Sequence, residues 1–207
     1  MWYNINVKYL RSGESKKIIK YYDKFFLNKE KNNCMIFHTD IDEGRDFHID
    51  VAHYTASEKC PYQVLATFGA SIKKDRGMPY VEYITFLPKD YDLNIEENRF
   101  IVCEMISQCQ YFGRRLCNFE VREIINDDQM PPNANLTHCF VLPQAVVDYS
   151  DFGYIKINLF KKIEIMHILP ICQNEFEIFK EEGPWFLFQR IYANDESENF
   201  LYKEYRW

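Results

Sequence analysis

Glycine is scarce in this chain, with 7 in 207 residues against 17 Phe and 15 Tyr. Loops that cradle phosphate depend on glycine, and neither GxGxxG nor GxxxxGK[ST] occurs; HExxH and GxSxG are missing as well. The common signatures of nucleotide-binding proteins, zinc proteases and serine hydrolases are therefore excluded. No apolar run approaches the ~18 residues that a membrane span requires. The opening residues, Met1-Trp2-Tyr3-Asn4-Ile5-Asn6, lack a basic segment followed by an apolar one, so a secretory leader is not expected. The seven cysteines (Cys34, Cys60, Cys103, Cys109, Cys117, Cys139, Cys172) include no close pair such as CxxC. That spacing opposes both a zinc site and a disulfide framework and predicts reduced thiols in the cytoplasm.

Excess basic charge is lacking too. Lys and Arg number 25 against 31 Asp and Glu, and the net charge is -6. Binding to nucleic acid or to an anionic membrane rests on clustered cations, so neither is expected; a basic protein partner would suit this balance. The length predicts one domain over residues 1–207, large enough to fold on its own core without a metal or disulfide staple.

What is present is strand-like patterning framed by helices. Ile18, Tyr21, Tyr22, Phe25 and Phe26 recur at helical spacing between Glu14 and Leu27, with Lys16, Lys17, Lys20 and Lys24 largely opposite. Cys34 to His38 reads as a short strand. Phe47, Ile49 and Val51 alternate with His48 and Asp50, the period-2 pattern of a half-buried strand. Tyr62 to Phe68 and Tyr80 to Leu87 are apolar on both parities, which places them in the middle of a covered sheet. Asn94 and Glu97 predict a capping-box start to a long helix whose apolar stripe is Ile101, Met105, Cys109, Phe112 and Leu116, with Glu104, Gln108 and Arg115 outside it. Residues 126–133 read as a loop and Thr137 to Leu142 as a strand. Tyr154 to Leu169 offers either one long strand or a hairpin broken near Lys161-Lys162, stopped by Pro170. A helix from Asn174 is interrupted at Gly183-Pro184 and resumes to Tyr192. The pattern predicts an α+β domain, a mixed or mainly antiparallel central sheet flanked by helices.

Few groupings carry chemistry. His48-x-Asp50-x-x-His53 holds metal-ligand residue types. In a regular strand His48 and Asp50 share a face and His53 points the other way, so a metal or enzymatic site there needs a bulge. Cys34 and His38 sit ~13 Å apart on one strand, too far for proton transfer. Gly69-Ala70-Ser71-Ile72-Lys73-Lys74 reads as an anion-contacting turn or a merely solvated one. The acidic cluster Asp40, Asp42, Glu43 and Asp46, joined by Asp127-Asp128, is a candidate contact for a basic partner or simply solvated surface. No catalytic residue and no cofactor is expected.

The order of these segments resembles the suppressor-of-fused-like (SUFU) domain family, especially its small bacterial members. The landmarks are His48-Ile49-Asp50-Val51, then Thr67-Phe68-Gly69-Ala70-Ser71 in place of the family's Thr-x-Gly-Met-Ser. Glu82-Tyr83-Ile84-Thr85-Phe86-Leu87-Pro88 and the run Ile168-Leu169-Pro170-Ile171-Cys172-Gln173-Asn174-Glu175 complete them. Together they cover about residues 14–192. Two departures stand out: no Met follows Gly69, and no Trp follows Leu87-Pro88, where Tyr91 takes that place. The resemblance implies a single SUFU-like lobe and a protein-binding role without catalytic residues. It implies a cytoplasmic immunity protein that neutralises a polymorphic toxin, with a regulatory peptide-binding module as the alternative.

Overall fold

The computed structural model describes residues 13–27, 34–38, 49–58, 60–72, 79–111, 119–130, 135–143 and 152–191. Eight strands form one sheet: β1 (Cys34–His38), β2 (Asp50–Tyr54), β3 (Gln63–Phe68), β4 (Tyr80–Leu87), β5 (Glu120–Glu123), β6 (Leu136–Pro143), β7 (Tyr154–Lys156) and β8 (Lys162–Cys172). The order is β1-β2-β3-β4-β8-β6-β5, and β7 also pairs with β8. Every pairing is antiparallel except β4 with β8, which is parallel. The predicted α+β class with a mixed sheet is what the chain adopts.

Alternation along the strands sends consecutive side chains to opposite faces. Val51, Leu65, Val81 and Tyr83 face α2 (Phe100–Tyr111) and pack on its Ile101, Met105 and Cys109. Ala52, Val64, Ala66, Ile84 and Phe86 face the other way, onto Ile18, Tyr22 and Phe26 of α1 (Gly13–Phe26). Along β8 the residues on the α1 side continue as Leu169 and Ile171, and these pack on Leu187 and Ile191 of α4 (Pro184–Ile191). Strands β2 to β4 are buried on both faces because helices lie on both sides, which is why both parities of β3 and β4 read as apolar; β2, expected to be half-buried from the alternation of Phe47, Ile49 and Val51, is instead covered on both faces and runs over Asp50–Tyr54.

Several local expectations are corrected. The long helix is not capped by Asn94: Asp92 accepts that residue's N–H, a 3₁₀ turn runs over Glu97–Arg99, and α2 begins at Phe100. Phe112 and Leu116, the end of its expected stripe, lie outside the described residues. Tyr154 onward is the hairpin rather than one long strand. Pro170 does not end β8; it sits inside the strand opposite Cys139. Pairing with β4 stops at His167, so β8 has β6 on one side only at that point, and a residue without an N–H is tolerated there. Strand β5 was not foreseen in residues 120–123.

Candidate protein-binding surface

Three carboxylates are fully buried among the described residues, and each is consumed by the fold. Glu82 on β4 is fully buried. Its Oε1 accepts from Gly69 N (3.0 Å), Ser71 N (3.0 Å) and Ser71 Oγ (2.6 Å). Its Oε2 accepts from Thr67 Oγ1 (2.7 Å) and Ala70 N (3.3 Å). Burial raises its pKa, opposed by the donors of Ser71, Thr67 and Gly69. A raised carboxyl is a common mark of a general acid. With five donors on two oxygens and no exposure, this one instead shapes the turn between β3 and β4. The anion contact considered for residues 69–74 is answered from inside: the backbone N–H groups of Gly69 to Ser71 point at Glu82, while Lys73 and Lys74 lie outside the described residues.

Glu104 and Gln108, expected on the polar side of α2, are fully buried. Glu104 takes Ile125 N (3.1 Å), Asn126 N (3.0 Å) and Asn126 Nδ2 (2.9 Å), pinning the turn after β5; Gln108 donates to Glu123 O at 2.7 Å. Glu175 accepts the N–H of Cys172 at 2.9 Å, starting α3 (Gln173–Glu182) immediately where β8 ends. No spacing rule distinguishes Glu82, Glu104 or Gln108 from solvated residues, since each is an acid or amide with partners in another element, whereas Glu175 bonds back three residues at the spacing of a capping box.

The metal-type residues do not converge. Asp50 pairs with His38 Nδ1 at 2.7 Å across the β1–β2 register. His53 lies on the opposite face, beside Phe37 of the α2-side core. Its Nε2 is 2.6 Å from Gln63 Oε1. The Gln63 amide nitrogen donates to the carbonyls of Pro88, Lys89 and Tyr91, so its oxygen must accept and His53 Nε2 carries the proton. Burial lowers the His53 pKa and keeps the ring neutral. His48 lies outside the described residues, and so do Asp40, Asp42, Glu43 and Asp46 of the acidic cluster. Cys34 and His38 mark the two ends of β1, and burial pushes the Cys34 thiol up to about 12, removing it as a nucleophile at neutral pH. Among the described residues no three His, Cys, Asp or Glu side chains gather as a metal site, and no helix is long and apolar enough to cross a membrane.

Apolar surface is where the molecule offers something to a partner. Leu159 and Phe160, 84% and 96% exposed, occupy the tip of the β7–β8 hairpin. Trp185 and Phe186, 59% and 39% exposed, stand at the start of α4. Single exposed apolar residues are ordinary, whereas neighbouring exposed ones are candidates for contact with a partner. Strand β1 adds a backbone edge: among the described residues it pairs only with β2.

No family model matches the chain, and no curated protein does. Solved structures match in shape. A structure of the Sufu–Fu complex aligns with TM-score 0.62 at 14% identity, over 89% of this chain and 86% of that one. The fold is SUFU-like. A SUFU homolog from Neisseria gonorrhoeae shares it at TM-score 0.56 and 11% identity, over 86% of this chain and 88% of the other. Drosophila Suppressor of Fused aligns at TM-score 0.63 and 12% identity over 89% of this chain, which spans 48% of the Drosophila one. The turn held by Glu82 joins two of the landmarks on which the SUFU resemblance rests, Thr67–Ser71 and Glu82–Pro88, and gives them a physical reason to occur together.

Proposed function

We infer that the chain is a non-enzymatic protein-binding domain serving as an immunity protein, which neutralises a cognate toxin by direct contact in the cytoplasm. The observation that supports this reading is a SUFU-like lobe shared with a bacterial homolog, in which the buried carboxylates are committed to holding turns and helix starts. Exposed apolar pairs that include Phe160, Trp185 and Phe186 fit recognition of a protein better than turnover of a small molecule. The net charge of -6 suits a basic toxin domain such as a nuclease, and Asp40, Asp42, Glu43 and Asp46 are the proposed contact for it.

Co-expression with the toxin gene expected beside its own tests the reading. Growth rescue together with co-purification of a complex is the expected result; neither rescue nor complex rejects it. Replacing Asp40, Asp42 and Asp46 by Asn and Glu43 by Gln should slow association and flatten its dependence on salt. The second reading, a regulatory module that binds a peptide as an added strand, is favoured by the place of β1 at the end of the strand order among the described residues. An enzymatic site near His48, Asp50 and His53 is disfavoured by the separation of Asp50 and His53 onto opposite faces. Metal analysis of the purified protein distinguishes it, since stoichiometric metal lost in His53→Ala would be required.

A further inference from the structure

The hairpin tip is exposed yet firmly held. Asn158 Oδ1 accepts the N–H groups of Phe160 and Lys161, both at 2.8 Å, and Ile157 N donates to Lys161 O at 3.0 Å. Lys161 Nζ reaches Glu14 (2.6 Å) on α1 and Ser71 O (2.9 Å), and lies 4.3 Å from the centre of the Tyr80 ring. Lys17 Nζ donates to Ile157 O at 2.9 Å. A tip fixed this way loses little conformational freedom when its apolar side chains are covered.

Its surroundings are basic in an acidic chain. Across α1 and residues 154–164, seven Lys face three carboxylates, Glu14, Asp23 and Glu164. The other exposed apolar pair has acidic neighbours. Among the residues of α3 and α4 that reach the surface, Glu177, Glu181 and Glu182 outnumber Lys180, which pairs with Glu177, and Arg190, which lies 5.6 Å from the centre of the Phe186 ring; Glu181 and Glu182 are exposed four and three positions before Trp185. Trp185 is also ordered, packed on Phe119 (6.1 Å between centroids) and stacked on Phe188 (5.2 Å).

The two patches are too far apart to meet within one molecule. Phe119 immediately precedes β5, whose Glu120 pairs with Val141, which in turn pairs with Ile168. That point lies six positions along β8 from Lys162, ~20 Å at strand rise. We propose that the chain associates head to tail with a second copy of itself, the Leu159–Phe160 tip of one molecule docking on the acidic Trp185–Phe186 corner of the next. Apolar side chains meet aromatic ones, and the exposed Lys156 and Lys162 beside the tip meet Glu181 and Glu182. An anionic membrane would offer complementary charge to the tip as well, but it gives the Trp185–Phe186 corner with its exposed Glu181 and Glu182 no partner. The contact is small, so it exchanges rapidly and is weakened by salt. A head-to-tail contact does not close by two-fold symmetry, so it adds molecules without a fixed end unless a ring forms.

Sedimentation velocity from about 10 µM to about 500 µM at low and high salt tests it over the range where contacts of this size populate. The mean mass should rise with concentration at low salt and fall back at high salt. Phe160→Asp alone and Trp185→Asp alone should each remain monomeric, with circular dichroism unchanged because both side chains are on the surface. An equimolar mixture of the two should recover association, but only to dimers, since each variant keeps one intact patch and the two patches are complementary. Wild-type protein that stays monomeric throughout overturns the proposal. Association that neither variant affects does so too, as does a mixture that fails to recover. Phe160-dependent binding to phosphatidylserine vesicles without self-association would assign the tip to lipid instead.

Discussion

At the residue scale, the acids and amides that a helical wheel or a strand pattern would send to solvent are the ones that hold the turns. Glu82 offers two acceptor oxygens to five donors, so the loss of charge matters less than the loss of acceptors. Glu82→Gln keeps the shape but places an NH₂ against N–H and O–H donors, and should destabilise by about 1–3 kcal/mol. Glu82→Ala leaves all five donors unsatisfied and should cost more. Urea denaturation of the two variants checks both the size and the order; a Gln variant as stable as wild type would show that the turn does not depend on this carboxylate. Cys34 illustrates the opposite case, a residue with reactive potential that burial silences.

At the scale of elements, the hinge between α3 and α4 depends on one glycine. Gly183 has φ 87°, and a Cβ there would meet nothing within 4 Å, so the demand is on the backbone rather than on space. Pro184 then opens α4 at the position where its missing N–H costs nothing. Gly183→Ala should therefore destabilise by about 1–3 kcal/mol through backbone strain alone. Because α4 buries Leu187 and Ile191 against β6 and β8, the effect should appear as faster amide exchange in α4 before the sheet is affected. Uniform exchange across the molecule would mean that α3 and α4 do not yield separately. Pro170 and β5 show why element boundaries were misread. A proline within an apolar run normally ends a strand, and a stretch such as Glu-Val-Arg-Glu has no alternating core face. Both are settled by neighbouring strands rather than by their own composition.

For the whole molecule, stability should depend on pH in a way that can be assigned to one ring. His53 is held neutral in the fold with its pKa lowered by burial, while the unfolded ring keeps a value near 6.5. Below that value the unfolded chain takes a proton that the folded one refuses, so this contribution to stability falls as pH drops from neutral through the mid-6 range towards the lowered folded value. The slope from one such group is at most about 1.4 kcal/mol per pH unit. Glu82, raised by burial, acts in the opposite sense, its contribution being lost as pH rises through its folded value. The difference between wild type and His53→Gln, which retains a donor towards Gln63, isolates the histidine. Chemical denaturation at about pH 7.5 and about pH 5.5 should show a shallower loss in the variant; identical losses would place the proton elsewhere.

The strand character of Val51, Val64 to Phe68 and Tyr80 to Leu87, the apolar face of α1, and the Gly183-Pro184 break were legible because local apolar patterning and backbone chemistry dictate them. So was the separation of Asp50 from His53, which follows from the two-residue repeat of a strand. Strand order, the parallel pairing of β4 with β8, the burial of Glu82 and Glu104, and the two exposed apolar patches were decided only by tertiary structure. Those features depend on which segments come together from distant parts of the chain, and hydrogen bonding between such segments leaves no periodic trace in either one.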